Sequence, residues 1–410
     1  MVFRWQALRD HLHLWRHIGA SKQVLSWIRS GVKVEWARGL RPRPFHLQSA
    51  PLTEAQTRYW LDVCEPAYIA NGAIKVIDRL DAKYVSRAFF VDKLNPTGGP
   101  VQEWRLVVDA TPTNAFSVVR PFKHESVHSL AAASTAGCQF IKFDLADAYH
   151  HLALFEPDQQ YFQFSLAGKF YQCTALPFGW NGSPYHFSKL MRVIIKYVRS
   201  TAGAKGRLQG MRILHLMNYL DDFVCSATTH RAARYAATCF KKLLPALGLT
   251  FKESKCIWQP TPRMEVLGII VDSNKGTFEL PDRRRNAIMA TASHLLKHAC
   301  AHRRWVPKKL LAKFTGQAVS ASIAVPYARF HLMHCNDLFK GTPDWSAGAR
   351  ARLSHAAIRE LKWWARAVSY DAHNPWQVQP FSAVLTTDSS DYGWSGLLER
   401  ATESWQAQGY

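Results

Sequence analysis

Two adjacent aspartates, Asp221 and Asp222, interrupt the run HLMNYLDDFVCS and leave an apolar stretch of strand length on either side. Unpaired carboxylates are costly to bury, and each disfavours ionisation of the other, so such a pair needs cations beside it. Neighbouring side chains of a regular strand point to opposite faces, so both acids can serve one site only at a turn. The segment is therefore expected to form a hairpin with YLDD at its tip. A second pattern, FIKFDLADAYH, reads as a strand ending in Asp144, with Asp147 and Tyr149 just beyond. If the two strands are neighbours in one sheet, Asp144 and Asp221 can hold two divalent cations about 4 Å apart, as in-line phosphoryl transfer requires. Spacing alone leaves an alternative open, in which Asp144 caps a helix and Asp221 and Asp222 form an exposed turn.

The rest of the composition suits a polyanionic partner. The 410 residues carry 52 Lys+Arg against 30 Asp+Glu, a formal charge of +22. That surplus points first to nucleic acid and only second to an anionic membrane surface. With 48% hydrophobic and 20% charged residues the chain can bury an ordinary core, which excludes wholesale disorder and fibrous architectures. No apolar run reaches the roughly 18 residues of a membrane span, and the N-terminus lacks the apolar core of a signal peptide. The protein is expected to be soluble and intracellular, without a choice between cytoplasm and nucleus. Eight cysteines spread singly, with no C-x-x-C pair, argue against a zinc module or a disulfide scaffold and for buried thiols.

Texture changes along the chain suggest two to four domains. Residues 1–82 read as a basic helical arm, with nine Lys/Arg and two acids before residue 50. Between 83 and 272, short apolar runs alternate with turn signals (FIKFDL, YFQFSL, KFYQCT, ILHLMNYL, FVCSA, EVLGIIV), which gives an α+β domain rather than a doubly wound sheet. Residues 273–343 turn helical, with Pro307 expected at the first helical position before KKLLAKF. This region is strongly basic, with nine Lys/Arg and one acid between 281 and 313. Residues 344–380 form a connection through the Trp-rich ELKWWARAV, and 381–410 begin a further strand segment.

In this order the motifs resemble the reverse transcriptase family over about residues 85–272. RLVVDATPTN (105–114) looks like the basic fingers strand, and FDLADAYHHL like the first catalytic motif. LPFGWNGSP (176–184) is similar to the dNTP and template platform, and YLDD to the second catalytic motif. LGLTFKESKC (247–256) and EVLGIIV resemble the helix-to-lysine segment and the primer-grip hairpin. The flanks are similar to the DIRS-like retrotransposon group, and TTDSSDYGWSG to the opening of a ribonuclease H domain.

The resemblance implies a right-hand polymerase with fingers, an antiparallel palm sheet, a helical thumb and an incomplete ribonuclease H-like segment. It implies RNA-directed DNA synthesis, with Asp144, Asp221 and Asp222 as the carboxylate triad and metal ligands for two Mg²⁺ ions, Mn²⁺ being a substitute. Asp222 would be the less essential acid. The Leu145 carbonyl would add a neutral ligand, Tyr149 would be the steric gate against a 2′-hydroxyl, and Arg105 and Lys93 would grip the triphosphate. Phe178 stands where many viral relatives have Gln, which removes a polar contact to the sugar, and Thr111 replaces an arginine of the fingers. Lys255 would protonate departing pyrophosphate, Leu267 and Gly268 would approach the primer end, and Arg283, Arg284, Arg285, Lys308 and Lys309 would contact phosphates. The partners implied are a primed RNA or DNA template and dNTPs; oligomeric state is left open. Of the ribonuclease H acids only Asp388 is matched, with Glu399 and Glu403 nearby, so no RNA cleavage is expected and the chain resembles a fragment. Two rivals stand beside this reading: a non-catalytic nucleic-acid-binding remnant, and an RNA-dependent RNA polymerase, against which Tyr149 and YLDD argue.

Overall fold

The apolar runs flanking the acids form strands in the computed structural model, which describes residues 3–92, 103–202, 212–340, 345–346, 348–368, 373–376, 383–390, 392–400 and 404–409. The chain divides into two compact units, 1–262 and 263–410. The hairpin of EVLGIIV thus groups with the second unit.

In the first unit a four-stranded antiparallel sheet runs in the order Ile257–Thr261, Gln139–Asp144, Asp222–Ala227, Ile213–Tyr219. Register follows from the apolar residues. Phe143 lies opposite Phe223, their rings stacked with centroids 4.7 Å apart, and the Phe240 ring packs on Phe143 at 4.7 Å. Phe240 belongs to the helix His230–Ala246, which buries Ala232, Ala233, Ala236 and Leu244 and starts at Thr229, whose hydroxyl accepts the Ala232 N–H. Small alanines at helical spacing let this helix lie close on the two acid-bearing strands. A second, five-stranded sheet, built from Phe45–His46, Tyr84–Ser86, Gln163–Leu166, Lys169–Cys173 and Ile74–Ile77, contains both parallel and antiparallel pairs.

The basic N-terminal helices are built into this unit. Leu8, Trp15, Val24, Trp27 and Ile28 are part of its core, and the Trp15 indole N–H donates to the Leu247 carbonyl at 3.0 Å. Of their cations, Arg16, Lys22 and Arg29 are exposed, away from these buried residues.

Within the second unit, the hairpin Arg263–Val266 and Ile269–Asp272 turns at left-handed Leu267 (φ 50°) and Gly268 (φ 79°). The helices Asp282–Ala301, Lys308–Ala321 and His355–Ala367 bury Ile288, Leu295, Leu311, Phe314, Leu361 and Trp364. Pro307 is the extended residue before the Lys308–Ala321 helix rather than its first helical residue. Strands Ala383–Ser390, Gly393–Arg400 and Ser404–Gly409 form an antiparallel meander. Among the described residues no helix is long and apolar enough to cross a membrane. The cysteines are free thiols, with Cys64, Cys138, Cys173, Cys225 and Cys335 buried.

One glycine fixes how the LPFGW loop meets the strand Trp104–Val108. Gly179 has φ +112°, and a Cβ there would sit 2.0 Å from the Val108 carbonyl oxygen. Asn114 closes the same junction: its amide donates to the Gly179 carbonyl at 2.9 Å and its oxygen accepts the Asn181 N–H at 3.0 Å. Gly179→Ala should lower the unfolding free energy by about 2 kcal/mol or more, through clash and forbidden φ together. A urea melt followed by tryptophan fluorescence measures this, and an unchanged midpoint would show that the close approach is dispensable.

Candidate active site

The acids converge through strand pairing. Asp222 lies directly opposite Asp144, and opposite Tyr219 across the hairpin. Leu220 and Asp221 therefore make a two-residue turn, with Leu220 left-handed at φ 56°, a strained state for a branched residue. Next to it, the Ala146 N–H donates to Thr250 and the Lys252 N–H to the Asp144 carbonyl. Leu145 and Phe251 are thus a non-hydrogen-bonded pair, which turns the polar backbone edge of Leu145 toward the hairpin. There the Leu145 N–H meets the Asp221 carbonyl at 3.2 Å. Of the two arrangements that spacing allowed, this is the sheet, since Asp144 is 2% exposed and caps no helix.

Two lysines supply the counter-charge. Lys255 Nζ lies 3.1 Å from Asp144 Oδ2, and Lys142 Nζ lies 2.9 Å from Asp222 Oδ1. Asp144 Oδ1 is buried and accepts no hydrogen bond. Burial, then the nearby Asp221 charge, hold the Asp144 carboxyl above its ordinary range against the pull of Lys255. Burial likewise raises Asp221, with Asp222 adding to the effect and Lys255 and Arg105 opposing it. The site is therefore short of positive charge. Among the described residues no three His, Cys, Asp or Glu side chains are gathered into a metal cage. The donors nonetheless suit a hard divalent cation: an orphaned carboxylate oxygen, two acids held above their usual range, and a backbone carbonyl on the facing edge.

Tyr149 sits in the turn Ala148–His151, after left-handed Asp147 (φ 47°). Its ring is 8% exposed and lies 4.9 Å from Phe178 and 5.8 Å from Phe187, centroid to centroid. Burial, then Asp221 and Tyr219, push its phenol up to about 12, with Arg105 opposing. The Arg105 guanidinium lies 5.9 Å from the centre of the Phe178 ring. Asp144, Leu145, Tyr149, Phe178, Arg105, Asp221, Asp222 and Lys255 are thus gathered in one unit. Thr111 opens a short helical turn, its N–H bound to Asp109. Lys93 lies outside the described residues.

In the second unit the basic residues have internal partners. Arg283 pairs with Glu265, and Arg284 donates to the Gly268 carbonyl at 2.8 Å and to Ser320. Arg285 donates to the Leu280 carbonyl at 3.2 Å and lies 3.4 Å from Asp282. Arg284 thereby braces the Leu267–Gly268 turn. Lys308 corrects the sequence reading: it is 2% exposed with its ammonium 4.7 Å from the centre of the Trp345 ring, so it is not placed for solvent-side phosphate. Lys309 is exposed. Asp388 is exposed on the first strand of the meander.

Sequence reasoning passed over three supports. Lys142, two residues before Asp144, shares its strand face by alternation, a signal that was there to be read. Asn114 at the LPFGW loop gave only a turn-like TPTN. Arg4 binds Asp147 through Nε (3.1 Å) and Nη2 (2.9 Å) across 143 residues, which nothing local announces.

Residues 99–271 match the family described as reverse transcriptase (RNA-dependent DNA polymerase). The fold is similar to a solved foamy viral structure, "protease-reverse transcriptase dRH in complex with ds DNA", with TM-score 0.61 and 14% identity over 98% of this chain and 67% of that one. The α+β polymerase fold expected from the sequence is the one found.

The raised acids have a stability consequence. A carboxyl whose folded pKa exceeds its unfolded value binds more protons when folded, so stability falls as pH rises through that window. Asp221→Asn removes this loss. Its Tm should exceed the parent's by about 1–3 °C at pH 7, with the gain vanishing below the ordinary aspartate value near 4. Calorimetry across pH 3–8 measures this; a gain independent of pH would contradict the charge argument.

Proposed function

From the premise that this chain carries a reverse transcriptase domain and is an RNA-directed DNA polymerase, we propose that Asp144 and Asp221 centre its active site. The observation that carries the proposal is the Asp144–Asp222 register, which brings acids 78 residues apart to one hairpin tip beside Tyr149 and Arg105. Asp144, Asp221 and the Leu145 carbonyl would hold Mg²⁺, with Asp222 as the less essential acid and Mn²⁺ as a substitute. Divalent cations bound there activate an attacking hydroxyl and shield a leaving pyrophosphate.

The chain's own residues do the rest. A primer 3′-hydroxyl attacks the α-phosphate of a dNTP, a new P–O bond forms, and the bond to the bridging oxygen of the β-phosphate breaks. Arg105 offers two N–H groups to the triphosphate, a grip suited to a planar guanidinium. Tyr149, its phenol neutral at physiological pH and its ring backed by Phe178 and Phe187, occupies the space of a ribonucleotide 2′-hydroxyl. Lys255, whose ammonium lies 3.1 Å from Asp144 Oδ2, is the proton donor placed beside the acids and would protonate the departing pyrophosphate. Leu267 and Gly268, held by Arg284, serve the primer strand, and Lys309 serves phosphate. Duplex binding is supported by the foamy viral relative, whose structure was solved with ds DNA. The retrotransposon origin, the DIRS-like grouping, the arm, palm, thumb and connection boundaries, and the ribonuclease H-like start with Asp388 rest on sequence resemblance.

Primer extension tests the assignment. Asp144→Asn and Asp221→Asn should each lose about a thousandfold or more in extension rate, and Asp222→Asn less. Extension surviving either of the first two would remove the assignment, and a preference for rNTPs would favour an RNA polymerase.

Tyr149→Ala should raise ribonucleotide incorporation by about tenfold or more relative to deoxyribonucleotides. Unchanged sugar selectivity in competition assays would refute the gate.

A further inference from the structure

The hairpin that carries Asp221 has an open side. Among the described residues its strand Ile213–Tyr219 is the edge of the sheet, so every second backbone N–H there has no strand partner among them. Glu125, from the segment leading into the helix Val127–Ala132, fills one of these positions: its Oε2 accepts the Asn218 N–H at 3.2 Å. Arg199 donates to Glu125 Oε1 at 2.6 Å and to the Leu216 carbonyl at 2.8 Å, and His215 lies 3.6 Å from Oε2. Asn218 passes the contact on, since its side-chain amide donates to the Leu220 carbonyl at 2.7 Å, the left-handed residue before Asp221. His124, next to Glu125, packs its ring 4.7 Å from that of Tyr219. Glu125 and His124 thus hold the Ile213–Tyr219 side of the tip.

We propose that Glu125 is a positioning residue for DNA synthesis: by holding the Asn218 N–H at the sheet edge, it fixes the Asn218 amide on Leu220 and so the place of Asp221. The proposal rests on the polymerase reading above. Half-burial pushes the Glu125 carboxyl up, but the His215 and Arg199 contacts outweigh it and hold it down at about 2, so the acceptor is fully charged at neutral pH. A charged acceptor makes the stronger bond to a backbone N–H. Glu125 also lines a cavity of about 620 Å³ with Lys123, Arg192 and Lys196. Shortening it therefore opens no void in the apolar core, and the variant should fold.

The test compares Glu125→Ala, Glu125→Gln and Asn218→Ala in the full chain. Single-turnover extension, normalised by active-site titration, should slow about tenfold in Glu125→Ala and Asn218→Ala, as expected for a displaced catalytic group. The double variant should be no slower than either single one, because both act through one chain of contacts. Glu125→Gln, which keeps an acceptor, should recover to within about threefold of the parent. Primer–template Kd and Tm should stay near parental values in all three. A Glu125→Ala rate within twofold of the parent, or a loss carried wholly by a lower active fraction, overturns the proposal. Hydrogen exchange at the Asn218 amide reads the clamp without catalysis and should quicken in Glu125→Ala. A parent that extends no primer overturns the polymerase reading instead, and unchanged Asn218 exchange would then overturn the clamp on its own.

Discussion

The antiparallel register between the Asp144 and Asp222 strands is the constraint on which the site depends. A slip of one residue would exchange the two faces of a strand and part the acids. Aspartates cannot set that register, because their mutual repulsion opposes it. The apolar layer sets it instead. Phe143 stacks on Phe223 one step from the acids, and Phe240 and Trp258 close on the same ring at 4.7 and 5.5 Å. Burial of aromatic surface, worth a few kcal/mol per ring, exceeds the cost of gathering carboxylates at the strand ends. The core is what permits the acids to be neighbours.

Two of the chain's left-handed residues lie at the same place, and each is held locally. Asp147 and Leu220, both left-handed without being glycine, flank the acids, and such residues cost of order 1–3 kcal/mol each. Each has a dedicated tie: Arg4 grips the Asp147 carboxylate and the Asn218 amide holds the Leu220 carbonyl. The N-terminal helices therefore contribute to the geometry of the Asp144–Tyr149 segment far along the chain.

Much of the palm was legible because its signals are local. Alternating apolar residues mark strands, and an acid pair inside them marks a hairpin, so the FIKFDL and HLMNYLDDFVCS segments fold as read. The supports were not legible, because they join distant residues: Arg4 to Asp147, or Asn114 to Gly179. Basic residues misled for a related reason. Lys308 and Lys309 are adjacent and identical in sequence, yet one lies buried over Trp345 and the other is exposed. That difference is decided by an aromatic 37 residues away, which no local pattern contains.

The same distinction reshapes what the net charge of +22 means. A cation gains from a phosphate only if it is exposed and not already neutralised. Arg283 and Arg285 fail the second condition, since Glu265 and Asp282 of their own unit pair with them, and Arg284 is engaged by the Gly268 carbonyl and the Ser320 hydroxyl. The exposed Arg16, Lys22, Arg29, Arg38, Arg41 and Arg43 meet the first, on segments whose other faces are anchored in the core of the first unit by Trp15, Val24 and Trp27. An amphipathic helix with tryptophan inward and arginine outward presents charge from a fixed platform, which spares a polyanion the entropy of ordering a loose tail. Charge that the sequence presents as an arm is thus part of the first unit, where Arg4 also holds the Asp147 carboxylate.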